Sequence, residues 1–345
     1  MSNFQTRTHW LSGASLPNLS RVLYANRKEI QAKYIPKILQ IAITPMLVFP
    51  FHLAERVFYY RRIRRTNITR DPVFIIGHFR SGTTYMHNLI CQDPQFGFPT
   101  TYQCFVPDTF LSGKNLLKAI HRTTLPEKRP MDNVKLDSDF PQEEEIAIAA
   151  LSPYSFYQCY FFPKKIKSFF NDYFLLNSGI SDQWERIYLF ILRKMTYACN
   201  GKQMVLKNPV NTGRIEHILK LFPDAKFIYM HRKEEQVLKS TYKLFQKFLD
   251  LLSFQVMDEE ELKENIRWMH CQILEQYEKQ KQLIPRRNLV EIRYENFIQK
   301  PLEEITRVYR ELNLTGFEEA KTCFERYIAM QASFVTDVYS RTVEQ

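Results

Sequence analysis

The sequence is poor in the features that mark several common protein classes. It has only 9 glycines and 17 prolines among 345 residues, too few for a low-complexity chain, and no segment repeats at the periods typical of solenoids or propellers. Its six cysteines are scattered without a C-x-x-C pair, so neither a zinc knuckle nor a dithiol redox site is indicated. The first residues lack the basic-then-apolar order of a secretory signal peptide, which favours a reduced, cytoplasmic location.

The charge of the chain is strongly unbalanced. With 48 basic and 37 acidic residues the formal net charge is +11, which indicates a polyanionic partner. Nucleic acid, an anionic membrane surface and a multiply phosphorylated nucleotide would all fit. No RNA-recognition, helix-turn-helix or zinc-finger signature is present, so we do not expect a nucleic-acid partner.

The N-terminal part contains an apolar run at residues 36–54, interrupted by Pro45 and Pro50. Five arginines mixed with aromatic residues follow it: Arg56, Arg61, Arg62, Arg64 and Arg65. This pattern predicts peripheral contact of residues 36–65 with an anionic membrane surface. A helix buried against the main domain, with a solvated arginine face, fits the pattern equally well. A membrane-spanning helix fits less well, because the run is short and contains prolines.

The rest of the chain alternates between strand-like and helix-like segments. Strands are predicted at residues 73–76, 204–206, 226–230 and 289–292. Helical spacing of apolar residues separates them, although the aromatic-rich stretch 100–200 is hard to assign. We therefore expect an N-terminal helical extension over residues 1–70 and, over residues 71–345, a single P-loop-like α/β domain with a central parallel sheet flanked by helices. Ligands bind such sheets beyond the carboxyl ends of the strands.

The first predicted strand runs into a glycine-bounded turn and then a helix. The turn and the helix start contain Gly77, Arg80, Ser81, Gly82, Thr83 and Thr84. Backbone N–H groups and a helix N-terminus brought to one point form a phosphate site. The spacing resembles a Walker A loop, but Thr83 stands at the lysine position and the cation is Arg80. A P-loop kinase or other phosphotransferase is therefore an alternative that lacks its key cation, and a basic, non-enzymatic membrane-associated protein is another.

The R-S-G-T-T sequence after a strand resembles the 5′-phosphosulfate loop of sulfotransferases that use PAPS (3′-phosphoadenosine-5′-phosphosulfate). It is most similar to the bacterial-type branch, whose loop reads G-H-x-R-S-G-T-T. The resemblance implies transfer of a sulfuryl group from PAPS to a hydroxyl, release of 3′,5′-adenosine bisphosphate, and no metal. It also implies that the loop residues named above bind the donor.

Three further segments match the same family. Arg232 follows the strand at 226–230, and Ser240 lies eight residues later; the resemblance implies that the two bind the 3′-phosphate of the donor. Lys207 ends the preceding strand, where similar enzymes place a lysine near the sulfonate, so Arg80 and Lys207 are the predicted catalytic cations. Tyr294 lies in an R-Y-E-N-F segment similar to the family's R-Y-E-D-L element, which makes it a candidate contact to the nucleotide.

The general base is the point at which the sequence departs from the animal cytosolic enzymes. Pro209 occupies the position of their base histidine, so the base must come from elsewhere. Glu143 and Glu145 are the candidates, because similar enzymes carry a P-Q-E-x-E-like element there and crowded carboxylates can acquire a raised pKa. We expect Pro141 at the first helical position, with one glutamate facing a cleft and the others facing solvent. The alternative bases are His78 and His87.

The acceptor is indicated only by composition. The apolar N-terminal run and the aromatic segment 154–162 favour a hydrophobic acceptor taken from a membrane, such as a lipid or sterol alcohol. An aromatic segment can equally be part of the core. Nothing in the sequence indicates the oligomeric state.

Overall fold

The structure is a computed structural model that describes residues 9–127 and 135–340, with side chains up to residue 331. The expected lack of a signal peptide concerns residues outside this range. A five-stranded sheet, in which every pairing is parallel and the order is β2-β3-β1-β4-β5, forms its centre. The strands are β1 (Val73–Gly77), β2 (Phe96–Gly97), β3 (Gln203–Lys207), β4 (Lys226–His231) and β5 (Leu289–Arg293). The predicted α/β fold with a parallel sheet is confirmed.

Helices surround the sheet and form the N-terminal extension. In chain order they are α1 (Leu16–Ala25), α2 (Ile35–Phe58), α3 (Tyr60–Arg65), α4 (Thr83–Ile90), α5 (Thr101–Phe105), α6 (Leu116–Thr124), α7 (Glu144–Leu151), α8 (Ile166–Phe169), α9 (Ser181–Ala198), α10 (Ile215–Leu221), α11 (Glu234–Leu252), α12 (Glu259–Gln280), α13 (Tyr294–Gln299), α14 (Pro301–Glu311) and α15 (Phe317–Ser340). Alternate side chains of β1 enter two different cores: Phe74 and Ile76 lie in one, Val73 and Ile75 in the other. Both faces of the sheet are thus covered, as a parallel sheet requires.

The register brings the ends of four strands to one edge. β1 lies at the centre, with Ile75 opposite Lys207 of β3 and Gly77 opposite Met230 of β4. On the next strand, His231 lies opposite Arg293. Because the strands are parallel, the residues that follow β1, β3, β4 and β5 meet at the same carboxyl edge.

The segment before α7 differs from the prediction. Pro141 is not at a helix start; it pairs with Thr100 in an antiparallel bridge, and the N–H of Gln142 donates to the carbonyl of Pro99 at 2.8 Å. These long-range bonds hold the chain extended, so α7 begins at Glu144 with Glu143 as its N-cap residue. The expected helix start at Pro141 is therefore wrong by three residues.

The aromatic segment after α7 is part of the core. Phe156, Tyr157 and Tyr160 are buried, and Trp10 packs on both tyrosines with ring centroids 5.3 and 5.6 Å apart. The start of the N-terminal extension therefore shares a core with the main domain.

Helix α2 runs without a break through Pro45 and Pro50. Within the described residues, one helical stretch, Ala32–Phe58, is long and apolar enough to cross a membrane. Most of its large apolar side chains are exposed, from Leu39 to Val57. The opposite face of α2 packs on the rest of the protein through Lys37, Ile41, Pro45 and Glu55, so the helix is attached to the domain along one side and exposed along the other.

Candidate active site

The loop after β1 adopts the tight path that its glycines predict. Gly77, Arg80 and Gly82 have positive φ angles of 138°, 68° and 95°, and a Cβ at Gly77 would overlap the carbonyl oxygen of Met230. The N–H of Gly77 donates to Thr212 Oγ1 at 2.9 Å. The loop ends at the N-terminus of α4, where Thr83 and Thr84 are the first two residues. Such a loop offers backbone N–H groups and a positive helix end to an anion.

The loops after β4 and β5 close on this turn. A Cβ at Gly82 would overlap the ring of Tyr294, and the guanidinium of Arg232 lies 4.3 Å from the centre of the same ring. Arg232 Nη1 also donates to the carbonyl of Arg80 at 3.3 Å. The ring of Tyr294 is thus held between the glycine of one loop and the cation of another.

Ser240 has the partner that its position on α11 requires. Arg80 Nε donates to Ser240 Oγ at 2.9 Å, so this half-buried hydroxyl is hydrogen-bonded. Arg80, Arg232 and Ser240 therefore lie together beside the loop. We call residues 77–84 with these partners and Tyr294 the anion pocket.

A second group of side chains surrounds the end of β3. Lys207 is buried, and its Nζ forms an ion pair with Glu143 Oε1. The hydroxyl of Tyr157 donates to the other oxygen, Glu143 Oε2. Burial raises the pKa of Tyr157 well above its ordinary value, and the Glu143 charge adds to this, so the phenol remains protonated and able to donate. Glu143 keeps a partly exposed side chain, as a proton acceptor for a bound molecule requires.

The Lys207–Glu143 pair adjoins the anion pocket. The N–H of Asn208 donates to the carbonyl of Ile75 at 3.3 Å, and Phe79 of the loop packs on Tyr157 with ring centroids 6.4 Å apart. Burial raises the pKa of Tyr160; the Glu143 charge raises it further, whereas the Arg80 charge lowers it. The two groups are therefore neighbours at the carboxyl edge of the sheet.

Glu145 lies in a different environment from Glu143. Its carboxylate is buried and paired with Arg214, whose Nη1 donates to Oε2 at 2.7 Å. Asn208 Nδ2 donates to Oε2 and Ser155 Oγ to Oε1, each at 2.8 Å. Because the Glu145 side chain is fully enclosed whereas the Glu143 side chain is partly exposed, the geometry favours Glu143 over Glu145 as the base and gives Glu145 a role in holding the start of α7.

Glu144 is also buried. It accepts hydrogen bonds from the hydroxyl of Tyr188 and from Asn211 Nδ2, each at 2.9 Å, and burial raises its pKa to about 7. The expectation that the neighbouring glutamates face solvent is therefore wrong. The first turn of α7 thus points two carboxyl groups into the core. Both oxygens of Glu145 and Oε1 of Glu144 accept hydrogen bonds there, whereas Glu144 Oε2 has no hydrogen-bond partner among the described residues.

The two alternative histidines lie in the interior. His78 Nδ1 is 2.7 Å from the carbonyl oxygen of Phe79, and burial, with a smaller effect of His270, lowers the pKa of His78 to about 3. His87 is buried too, and burial followed by the charge of Lys207 places its pKa well below the ordinary value. Both rings are thus neutral and enclosed, which favours Glu143 over either of them.

Sequence reasoning missed three residues of this site. Tyr157 was hidden in an aromatic run, because composition does not separate a core ring from one that binds a carboxylate. Thr212 and Arg214 follow Lys207 closely but carry no motif of their own. A buried arginine that pairs with Glu145 is visible only once the tertiary contacts are known.

The fold is a P-loop-like α/β fold, and its sheet edge carries a glycine-bounded turn of the kind that binds phosphate groups in other proteins. Comparison with known families makes the class specific: the Sulfotransferase family matches residues 72–319. The chain therefore belongs to the sulfotransferase family.

Individual relatives agree with this assignment. The chain is 29% identical to the omega-hydroxy-beta-dihydromenaquinone-9 sulfotransferase Stf3 of Mycobacterium bovis over 296 aligned residues. The alignment covers 85% of this chain and 76% of that protein. The protein of the same name from Mycobacterium tuberculosis is equally similar.

Solved structures show the same fold. Sulfotransferase STF1 of Mycobacterium tuberculosis aligns with a TM-score of 0.69 at 17% identity, over 89% of this chain and 84% of that one. Sulfotransferase STF9 of Mycobacterium avium gives 0.67 at 19% identity, over 81% and 72%.

Proposed function

We propose that this protein transfers a sulfuryl group from PAPS to a hydroxyl of a lipophilic acceptor and releases 3′,5′-adenosine bisphosphate. The observation that carries the proposal is the closeness of the anion pocket to the Lys207–Glu143 pair, since Phe79 of the loop packs on Tyr157, which donates to Glu143. The first suits a doubly phosphorylated nucleotide, and the second supplies a cation and a carboxylate beside it. Membership of the sulfotransferase family supplies the group that is transferred.

In this proposal the anion pocket holds the donor at two points. The loop, with Gly77, Ser81 and Gly82, takes the 5′-phosphosulfate on backbone N–H groups, and the hydroxyls of Thr83 and Thr84 assist. The 3′-phosphate lies near Arg232 and Ser240, which the hydrogen bonds of Arg80 already link to the loop. Tyr294, between Gly82 and Arg232, contacts the nucleotide.

The chemistry follows from the charges at the end of β3. The acceptor oxygen attacks the sulfur, the bond from sulfur to the 5′-phosphate oxygen breaks, and the electron pair leaves with the bisphosphate. Lys207 and Arg80 stabilise the charge that develops on the leaving phosphate. Glu143 takes the acceptor proton, and Tyr157 orients its carboxylate. No step in this sequence calls for a metal.

A lipophilic acceptor is supported by two separate observations. The name of the Stf3 relatives describes an omega-hydroxylated menaquinone as their substrate, and the N-terminal helix of this chain exposes apolar side chains. We infer that the acceptor is a lipid or sterol alcohol, and that the protein acts in the cytoplasm, peripherally on the inner face of the membrane.

Ligand binding tests the donor site directly. We expect the protein to bind 3′,5′-adenosine bisphosphate more tightly than magnesium-ATP in calorimetry. Arg232→Ala should weaken bisphosphate binding by roughly 10- to 100-fold, because a charge-assisted contact to phosphate is lost. The control is Arg287→Ala. Arg287 is exposed and precedes β5, so this substitution removes the same charge far from the carboxyl edge.

Two results would contradict the proposal. A preference for magnesium-ATP would indicate a phosphotransferase. Equal weakening by Arg232→Ala and Arg287→Ala would show that only the overall positive charge attracts the nucleotide.

A further inference from the structure

Two charged side chains of helix α2 point inward, against the rest of the protein. Lys37 Nζ donates to the carbonyl of Ser253 at 3.1 Å. Glu55 pairs with the buried Lys194 and accepts from the N–H of Ser112 at 2.9 Å. Lys37 and Glu55 therefore face the rest of the protein. In an ordinary surface helix, charged side chains face solvent and apolar ones face the core.

The outward face of the same helix is apolar. Six of its side chains are each more than half exposed: Leu39, Ile43, Met46, Leu47, Leu53 and Val57. Together with the exposed Pro50 they are mostly spaced three or four residues apart, so they form one stripe along the helix. A contiguous exposed stripe of this kind marks an interaction surface rather than a solvated one.

The contacts of α2 fix how the stripe is presented. Lys37 and Glu55 lie near opposite ends of the helix, roughly 27 Å apart along its axis, and each is tied to the domain. The helix therefore lies flat along the protein. The apolar stripe therefore faces outward along the whole helix, and the helix axis would lie parallel to a lipid surface that the stripe contacts.

The charge beside the stripe identifies the partner. The arginines predicted to meet lipid, at positions 56, 61, 62, 64 and 65, follow the apolar residues directly. Arg62 lies over the ring of Tyr59 and Arg64 over that of Tyr60, at 5.9 and 5.8 Å. Between residues 30 and 70 the sequence has one acidic residue, Glu55, and it is buried. Cations and aromatic rings bordering an apolar stripe suit the headgroup region of an anionic bilayer.

We propose that α2 and α3 form a membrane-docking surface, with the apolar stripe of α2 inserted in the plane of an anionic leaflet and the arginines on its headgroups. Charge complementarity favours lipid over a second copy of the chain, which would bring the same cations. The surface is inferred from α2 and α3 alone and stands independently of the proposed reaction.

Vesicle flotation with the full chain tests this surface. Wild type should float with phosphatidylcholine–phosphatidylglycerol vesicles and much less with phosphatidylcholine alone. The variant Leu39→Gln/Leu47→Gln/Leu53→Gln should lose binding by at least about tenfold, because three inserted side chains become polar. Arg61→Glu/Arg62→Glu/Arg64→Glu should lose the preference for anionic lipid, on the order of 100-fold.

A matched control changes exposed apolar residues elsewhere, in Leu274→Gln/Leu283→Gln/Ile298→Gln, and should float like wild type. Circular dichroism melting of each variant checks that it is folded. Flotation of the α2 variant at the wild-type level would overturn the proposal. So would a wild type that does not float but sediments as a dimer which the α2 variant dissociates, since the stripe would then cover a second copy. Failure of bisphosphate binding would leave the flotation result unchanged.

Discussion

The anion pocket and the Lys207–Glu143 pair meet in one site but are assembled in different ways. Gly77, Arg232 and Tyr294 each lie at the end of a strand or just after it, so the parallel sheet alone brings them together. Glu143 is 64 residues from Lys207 and reaches it through the start of α7, whose position depends on buried side-chain contacts. Local sequence therefore encodes the pocket, whereas tertiary packing creates the pair.

The largest expected effect separates two neighbouring glutamates. Glu143→Gln should lower kcat by about 10²- to 10⁴-fold, the usual contribution of a general base, with bisphosphate affinity nearly unchanged. Glu145→Gln breaks the buried pair with Arg214 and should instead cost about 3–5 kcal/mol of unfolding free energy. Steady-state kinetics and denaturant titration of both variants measure the contrast.

If kcat were unchanged in Glu143→Gln, Glu143 would not be the general base. His78 and His87 would then return as candidates despite their burial. A stable Glu145→Gln protein would show that the packing of α7 does not depend on its contact with Arg214.

An intermediate effect concerns the packing beneath the pair. Burial raises the pKa of Glu144 to about 7 from 4.5, so the folded protein holds a proton that the unfolded chain releases. The protonated Glu144 therefore contributes stability to the folded state that is fully present below about pH 4.5 and is lost as the pH rises through 7. Glu144→Gln stays neutral, so its unfolding free energy relative to wild type should rise between about pH 5 and pH 8, by about 1–3 kcal/mol.

Urea titration at several pH values measures this difference. A constant difference between the two proteins across the range would mean that Glu144 does not titrate as its burial requires.

The smallest expected effect falls on Tyr157. Tyr157→Phe removes a donor to Glu143 and should lower kcat by about tenfold or less. Because the charged carboxylate loses a hydrogen bond, the acidic limb of the kcat profile should also move to higher pH. Tyr154→Phe, a half-buried ring of the same segment, is the control. A reduced kcat without movement of the limb would indicate loss of packing only.

The sequence predicted the sheet and the anion pocket because their signals are local. Apolar runs marked four of the five strands, and Gly77, Arg80 and Arg232 could be placed at a sheet edge from strand ends alone. Ser240 lies at the same edge, where Arg80 donates a hydrogen bond to its hydroxyl.

The region around α7 was less predictable for a physical reason. Pro141 carries a helix-start signal, but the bridge to Thr100 overrides it. Glutamates in a first helical turn ordinarily face solvent, yet Arg214, Tyr188 and Asn211 draw Glu144 and Glu145 inward. Contacts between residues far apart in the chain decide both outcomes, and no local pattern encodes them.

The ion pair between Glu55 and Lys194 has a consequence for protein engineering. A truncated version that starts after residue 60 would lack Glu55 and leave the ammonium of Lys194 in the interior without its counter-charge, a change that costs several kcal/mol. It would also lack Trp10, whose ring covers Tyr157 and Tyr160. We expect such a shortened protein to aggregate on expression, so point substitutions are the sound way to probe the N-terminal helices.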